Sequence, residues 1–200
     1  VSVVIVDSGG ANIGSVRYAL ARLGVEAPMS RDSAEIRRAD LVLLPGVGSA
    51  TAAMERLRSA RLDTVIPTLT QPVLGICLGM QLMFEHSAEG DTPCLGILEG
   101  SAQRIPRDIG QPVPHMGWNS VAKNADSRLL DGIGDGIYFY FVHSYAVPVV
   151  AATTGLCEYG SPFTAVAEQG NFFATQFHPE RSGDNGARLL ENFLRLGGGG

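Results

Sequence analysis

Three short stretches of the 200-residue sequence carry residues able to make and break covalent bonds: "GICLGMQLMF" around Cys77, "QFHPE" around His178 and Glu180, and "LLPGVGS" around Gly46–Val47–Gly48. A free cysteine in apolar company is ordinarily a packing residue, and Cys77 alone fits either that role or a nucleophile's. Its setting resembles the thiol counterpart of a G-x-S-x-G nucleophile elbow, with Gly75 and Gly79 in the flanking positions. Both glycines have a physical reason there, since a strained strand-to-helix turn has no room for a Cβ on either side. A helix starting at Leu78 would also favour thiolate over thiol.

A nucleophile needs a base. His178 and Glu180 are two positions apart, and in an extended segment such residues share a side. A carboxylate so placed holds one imidazole tautomer and stabilises the imidazolium. Pro179 disfavours helix at His178. By itself His-Pro-Glu is also an ordinary turn with a solvated acid. Paired with an elbow cysteine, it completes a Cys–His–Glu triad. The third requirement is an oxyanion hole. Gly46 and Gly48 allow unusual dihedrals and expose amides, so an amide of this loop, with that of Leu78, could hold a tetrahedral oxyanion.

These groups require a scaffold that brings distant segments together. The N-terminal half alternates strand and helix patterns: "VSVVIVD", "NIGSVRYALARLG", "ADLVLLPG", "SATAAMERLRSARL", "QPVLGI" and "LGMQLMFEHS". Continuous apolar strands of this kind are covered on both faces, and the alternation predicts a parallel sheet flanked by helices. In such a sheet reactive groups sit beyond the carboxyl ends of the strands, where Cys77 and Gly46–Gly48 fall. From "PVPHMGWNSV" to "FFATQFHPE" the chain instead reads as successive strands, an antiparallel elaboration, and "GARLLENFLRL" closes it as an amphipathic helix. No linker divides the halves. The expected organisation is a single α/β domain over 1–196, an open mixed, mainly parallel, flavodoxin-like sheet, with 197–200 a flexible glycine tail.

Composition narrows the function. A hydrophobic content of 45% with 18% charged residues describes a packed globular chain, and the net charge of −5 offers no basic patch for nucleic acid. The apolar opening run stops at Asp7, too short for a signal peptide or a span, so no membrane association and a cytosolic location are expected. Cys77, Cys94 and Cys157 form no CxxC pair, and His86, His115, His143 and His178 have no metal-ligand spacing. No metal and no cofactor are expected. "DSGGANIG" follows a strand and opens a helix but matches neither nucleotide-binding glycine pattern; a structural turn or a contact surface involving Asn12 is the expectation.

Taken in order, PGVG, GICLGMQ and HPE resemble the class I (triad) glutamine amidotransferases, over nearly the whole chain. Within them, "PHMGWN" (114–119) and "YFVHSY" (140–145) are most similar to the glutaminase subunits of imidazole glycerol phosphate synthase, of histidine biosynthesis. The resemblance implies Cys77 as nucleophile, His178 as base and then acid, and Glu180 as its orienter. It implies Gly46, Val47 and Gly48 as the oxyanion strand, with Gln81, Ser144 and Tyr145 facing glutamine. It further implies a heterodimer with a (β/α)₈-barrel cyclase, reached through Asn12, Met116, Gly117, Trp118, Asn119, Tyr140 and Arg181. Ammonia would pass through that barrel, yielding imidazole glycerol phosphate and the aminoimidazole carboxamide ribotide by-product. Glutaminase activity without a partner wastes glutamine, so a poorly formed resting site is expected, completed when the glycine-flanked 46–48 segment reorients on a liganded cyclase. Two departures stand out: Ser8 replaces a tyrosine common in the family, and Arg181 replaces a lysine, which keeps charge but not geometry. The competing expectations are a glutaminase of another synthase, a γ-glutamyl thiol hydrolase on the same fold, and a non-catalytic α/β binding module.

Overall fold

A computed structural model describes residues 1–8, 13–46, 48–108 and 110–198. Val3–Val6 (β1) is buried at all four positions, the mark of a strand covered on both faces. It runs parallel to Met29–Ser30 (β2) and to Leu41–Gly46 (β3), and β3 runs parallel to Val73–Cys77 (β4). Alternate residues serve two cores. Ile5, Leu43, Leu74 and Ile76 pack with Ile13, Val16 and Leu20 of Ile13–Arg22 (α1). Val4, Val6, Val42, Leu44 and Val73 pack with Ile36 of Ser33–Arg38 (α2) and with Ala53, Met54 and Leu57 of Ala50–Ser59 (α3). Ser49 caps α3, accepting from the Ala52 amide at 3.3 Å.

Two expected helices are shorter than their sequences imply. The run from Ser49 to Leu62 breaks at Arg61, whose φ of +56° turns the chain into the short helix Leu62–Val65 (α4). The helix after Cys77 covers only Leu78–Met83 (α5). Phe84–Ser87 (β5) leaves it as a strand, because Leu98–Arg104 (β7) pairs with it in parallel and Thr92–Pro93 (β6) antiparallel. Phe84, expected on the helix, is thus a strand residue at the root of a four-stranded sheet ordered β10-β7-β5-β6, where β10 is Tyr145–Ala146.

The remaining strands are His115–Lys123 (β8), Ile137–His143 (β9), Thr153–Tyr159 (β11), Ser161–Gln169 (β12) and Phe172–Thr175 (β13). The main sheet runs β2-β1-β3-β4-β13-β12-β11-β8-β9. Its β2-to-β13 half is parallel and its β13-to-β9 half antiparallel, so the mixed character expected from the sequence divides at β13. Gly183–Arg195 (α6) buries Leu189, Leu190 and Phe193 on the first core. Of the terminal glycines, Gly197 and Gly198 complete a 3-10 turn, and a Cβ on Gly197 would meet Leu41 and Val1 side chains at 2.8–2.9 Å. Among the described residues no helix is long and apolar enough to cross a membrane.

Candidate active site

The parallel half supplies the sulfur. β4 ends at Cys77 beside Gly46 of β3, and Cys77 has φ 54° and ψ −109°. A non-glycine residue in such backbone costs on the order of 1–3 kcal/mol and persists only where packing enforces it. Three glycines do the enforcing. A Cβ on Gly79 would lie 1.7 Å from the Leu44 carbonyl oxygen, and one on Gly75 2.9 Å from the Gly79 backbone. One on Gly46 would lie 2.9 Å from the Gly79 nitrogen. The clearance argued from sequence for Gly75 and Gly79 extends to Gly46, expected in the oxyanion loop.

The base arrives on β13, the neighbour of β4 on its other side. His178 Nδ1 lies 2.8 Å from Glu180 Oε1, both side chains almost wholly buried. The pair does not form in extended backbone as expected. His178 is extended, but Pro179–Arg181 is a 3-10 turn that swings the carboxylate back onto the ring. Burial pulls the His178 imidazole down; hydrogen bonds to Cys77 and Glu180 and their negative charge outweigh it, holding the ring up at about 10. The other two thiols differ from Cys77 in having no such partner: burial pushes Cys94 up to about 11 and Cys157 up to about 12, as in inert packing cysteines.

Cys77, His178, Gly46, Gly48, Leu78, Gln81, Ser144, Tyr145 and Arg181 line one cleft of about 480 Å³. Gly48 has φ +95°, open to glycine and strained for other residues. Val47 and Asn12 lie outside the described residues. Ser8, the family departure, is fully buried and donates to the Pro45 carbonyl at 2.6 Å, tying the N-terminal turn to the start of the oxyanion loop. A larger depression of about 820 Å³ lies around Lys123, Arg128, Asp131 and Glu168, toward the opposite end of β13, and contains neither thiol nor histidine.

Gln81 lies in the cleft wall, but its amide nitrogen is engaged by the protein, donating to the Tyr145 carbonyl at 2.8 Å and to Gln176 Oε1 at 3.0 Å. Only its carbonyl oxygen remains to meet a ligand. The Tyr145 carbonyl also accepts from His143 Nδ1 at 2.8 Å, leaving His143 Nε2 to accept from His115 Nδ1 at 2.9 Å. His115 Nε2 in turn faces the Asn119 amide at 3.3 Å. Burial pushes both rings down, His143 to about 3 and His115 to about 4, so the pair is neutral. Sequence reasoning did not single out His143, Gln176 or the cleft carboxylate Glu89, which also accepts from the Ala50 amide at 2.8 Å. The signal was present for Gln176 alone: it is two residues before His178.

The expected partner residues divide by face. The β8–β9 register pairs Met116 with Val142 and Trp118 with Tyr140. Met116 and Trp118 are 63% and 55% exposed, and the Trp118 ring sits edge-on to Tyr140 at 6.2 Å. Arg181 lies over the Tyr140 ring at 4.7 Å. Asn119 departs from expectation: alternation turns it to the inner face, where it donates to the Glu158 carbonyl at 3.0 Å as well as facing His115. Gly117 shares that half-buried inner register, with φ +130°. The outer face is fastened to the base. The His178 amide donates to the Tyr140 carbonyl at 2.9 Å, the Tyr140 amide to Ser182 Oγ at 3.0 Å, and that hydroxyl to the His178 carbonyl at 2.6 Å.

Comparison with known proteins agrees with this geometry. A model of the family described as glutamine amidotransferase class-I matches residues 4–196. The imidazole glycerol phosphate synthase subunit HisH of Xanthomonas euvesicatoria pv. vesicatoria is 52% identical over 194 residues, 97% of each chain. The subunit of the same name from Yersinia pestis is 52% identical over 195 residues, 97% of this chain and 99% of that one. A crystal structure titled as a glutamine amidotransferase superposes with a TM-score of 0.77 over the full length of both chains at 21% identity, a likeness of fold. The chain belongs to the class I glutamine amidotransferase family.

Proposed function

We propose that this protein is the glutaminase subunit of an imidazole glycerol phosphate synthase, hydrolysing glutamine to glutamate and ammonia for a (β/α)₈-barrel cyclase. The observation that carries the chemistry is the strained Cys77 at the end of β4, lining one cleft with a buried His178 that is itself held by Glu180. The choice among glutaminases rests on the near-full-length identity to the HisH subunits.

With the proton on His178, Cys77 attacks the side-chain amide carbon of glutamine as a thiolate, forming a tetrahedral oxyanion. The Leu78 amide and an amide of the 46–48 loop donate hydrogen bonds to that oxygen. The imidazolium gives its proton to the departing nitrogen, and ammonia leaves a γ-glutamyl thioester. Neutral His178 then takes a proton from water, which adds to the thioester carbonyl, and the sulfur leaves as glutamate is released. Glu89 and the Gln81 carbonyl oxygen, with Ser144 and Tyr145, line the same cleft, and the carboxylate and carbonyl would receive the ammonium of the substrate's α-amino group. Trp118, Met116 and Tyr140 form the outer surface for the cyclase, with Arg181 at its margin.

The test is glutamate production by this chain alone, with the barrel cyclase, and with the cyclase plus its ligand. Turnover should appear with the cyclase and rise with its ligand. Equal rates under all three conditions would remove the partner-controlled reading. Turnover only with a different synthase would reassign the chain within the family.

A further inference from the structure

Besides the Val142 carbonyl, 3.8 Å away, the sulfur of Cys77 has another polar neighbour that the triad does not use. Gln176 is fully buried and precedes His178 by two residues, so its side chain approaches Cys77 from the same strand end as the base. Its Nε2 lies 3.7 Å from Sγ, within reach of an N–H···S hydrogen bond, and its Oε1 lies 3.0 Å from Gln81 Nε2.

Amide oxygen and nitrogen have the same shape, so their placement follows from partners. One group settles it here. The Tyr145 carbonyl can only accept, so the end of Gln81 that lies 2.8 Å away is the amide nitrogen. That same nitrogen faces Gln176, which must present oxygen to it. The other end of the Gln176 carboxamide, the NH₂, is thereby directed at Cys77. The backbone holding it is fixed as well: the Gln176 amide donates to the Ala165 carbonyl at 2.9 Å.

The geometry points to Gln176 as a further catalytic residue: its carboxamide N–H donates to Cys77 Sγ and stabilises the sulfur in its charged, attacking form. A neutral donor in a dry site binds an anion more strongly than a thiol, so the contact strengthens as the proton moves to His178. Gln81 and the Tyr145 carbonyl are positioning groups, which keep the donor end toward the sulfur. The inference rests on reading Cys77 as the nucleophile. The other titratable groups that face the cleft are His178 with Glu180, His143, Glu89, Tyr145 and Arg181.

Two variants of the full chain test it. Gln176→Leu removes the donor; Gln176→Glu keeps the shape and the acceptor for Gln81 but replaces the donor beside the sulfur with a carboxylate oxygen. The pH dependence of iodoacetamide alkylation is followed on the Cys77 peptide by mass spectrometry, so that Cys94 and Cys157 do not contribute. The midpoint should rise by about one pH unit in Gln176→Leu and further in Gln176→Glu. In the cyclase complex kcat for glutamine should fall about tenfold or more with KM within about twofold, the pattern of a group acting in the transition state. A midpoint within about 0.2 units of the parent in either folded variant would overturn the assignment. So would failure of both variants to fold, which would make Gln176 a packing residue. A parent protein that hydrolyses no glutamine with any partner would refute the proposed function, yet a shifted midpoint would still establish the contact with sulfur.

Discussion

The parallel and antiparallel halves of the sheet meet at β13, and they contribute to the cleft in opposite ways. From the parallel half come the proposed nucleophile and oxyanion loop, set by backbone packed so closely that glycine is required at three interlocking positions. From the antiparallel half come polar side chains in hydrogen-bonded pairs, reached only through cross-strand register: His115 beside His143, and Asn119 turned inward. One half fixes where the sulfur is. The other fixes what surrounds it and what a partner would touch.

Deleting the sulfur breaks the comparison most completely. Cys77→Ala should lower glutamate release in the cyclase complex by about a thousandfold or more while leaving partner binding intact. His178→Ala should act similarly, because the two function as a unit. Next in size is the backbone contact itself. Gly79→Ala drives a methyl into the Leu44 carbonyl, with no flexible side chain to yield, and should cost about 3 kcal/mol in urea unfolding. Gly48→Ala meets no atom within 4 Å and should cost only its positive-φ strain, about 1 kcal/mol. Equal losses at the two glycines would show that close packing is not what shapes the elbow.

The antiparallel half is tested on its outer face. Trp118→Ala removes a half-exposed ring, so the isolated chain should change by less than about 0.5 kcal/mol. Titration calorimetry with the cyclase should show binding weakened by about 2 kcal/mol, close to thirtyfold in Kd. Unchanged affinity would move the docking surface elsewhere.

The smallest effect is on pH. His115 and His143 have values lowered to about 4 and 3, below the ordinary 6.5. Below pH 6.5 the unfolded chain therefore binds more protons at these two sites, and their contribution makes stability fall as pH drops toward 4. His178, raised to about 10, acts oppositely: its contribution is complete below 6.5 and is lost as pH rises toward 10. Between pH 7 and 6 the opposing contributions leave a net change below about 1 kcal/mol. Chemical denaturation at pH 6, 6.5 and 7 checks it, with His178→Ala removing the opposing arm.

The two halves also differed in how much their sequences disclosed. The elbow is local: a strand, two glycines flanking a cysteine and a following helix are contiguous, and their packing follows from the chain itself. The oxyanion loop and the His178–Glu180 pair are nearly as local, although a 3-10 turn rather than extended backbone joins that pair. What stayed hidden depended on register. Phe84–Ser87 directly continues the run read as a helix from Leu78, and its pairing with β6 and β7 makes it a strand. Asn119 belongs to a motif of partner residues, yet alternation along β8 faces it inward. Gln81 carries an expected substrate contact, but its amide is used up by Tyr145 and Gln176, a residue with no feature of its own in the sequence beyond its spacing from His178.

The hydrogen bond from the His178 amide to the Tyr140 carbonyl gives the molecule a built-in gauge. The proposed catalytic base and the strand bearing the outer aromatic face share that bond, with Ser182 closing the ring on its other side. Solvent exchange of one backbone hydrogen thus reads both events: it should slow when the outer face is covered and quicken when β9 loosens. A measurement at one amide can time docking against turnover without altering a catalytic atom.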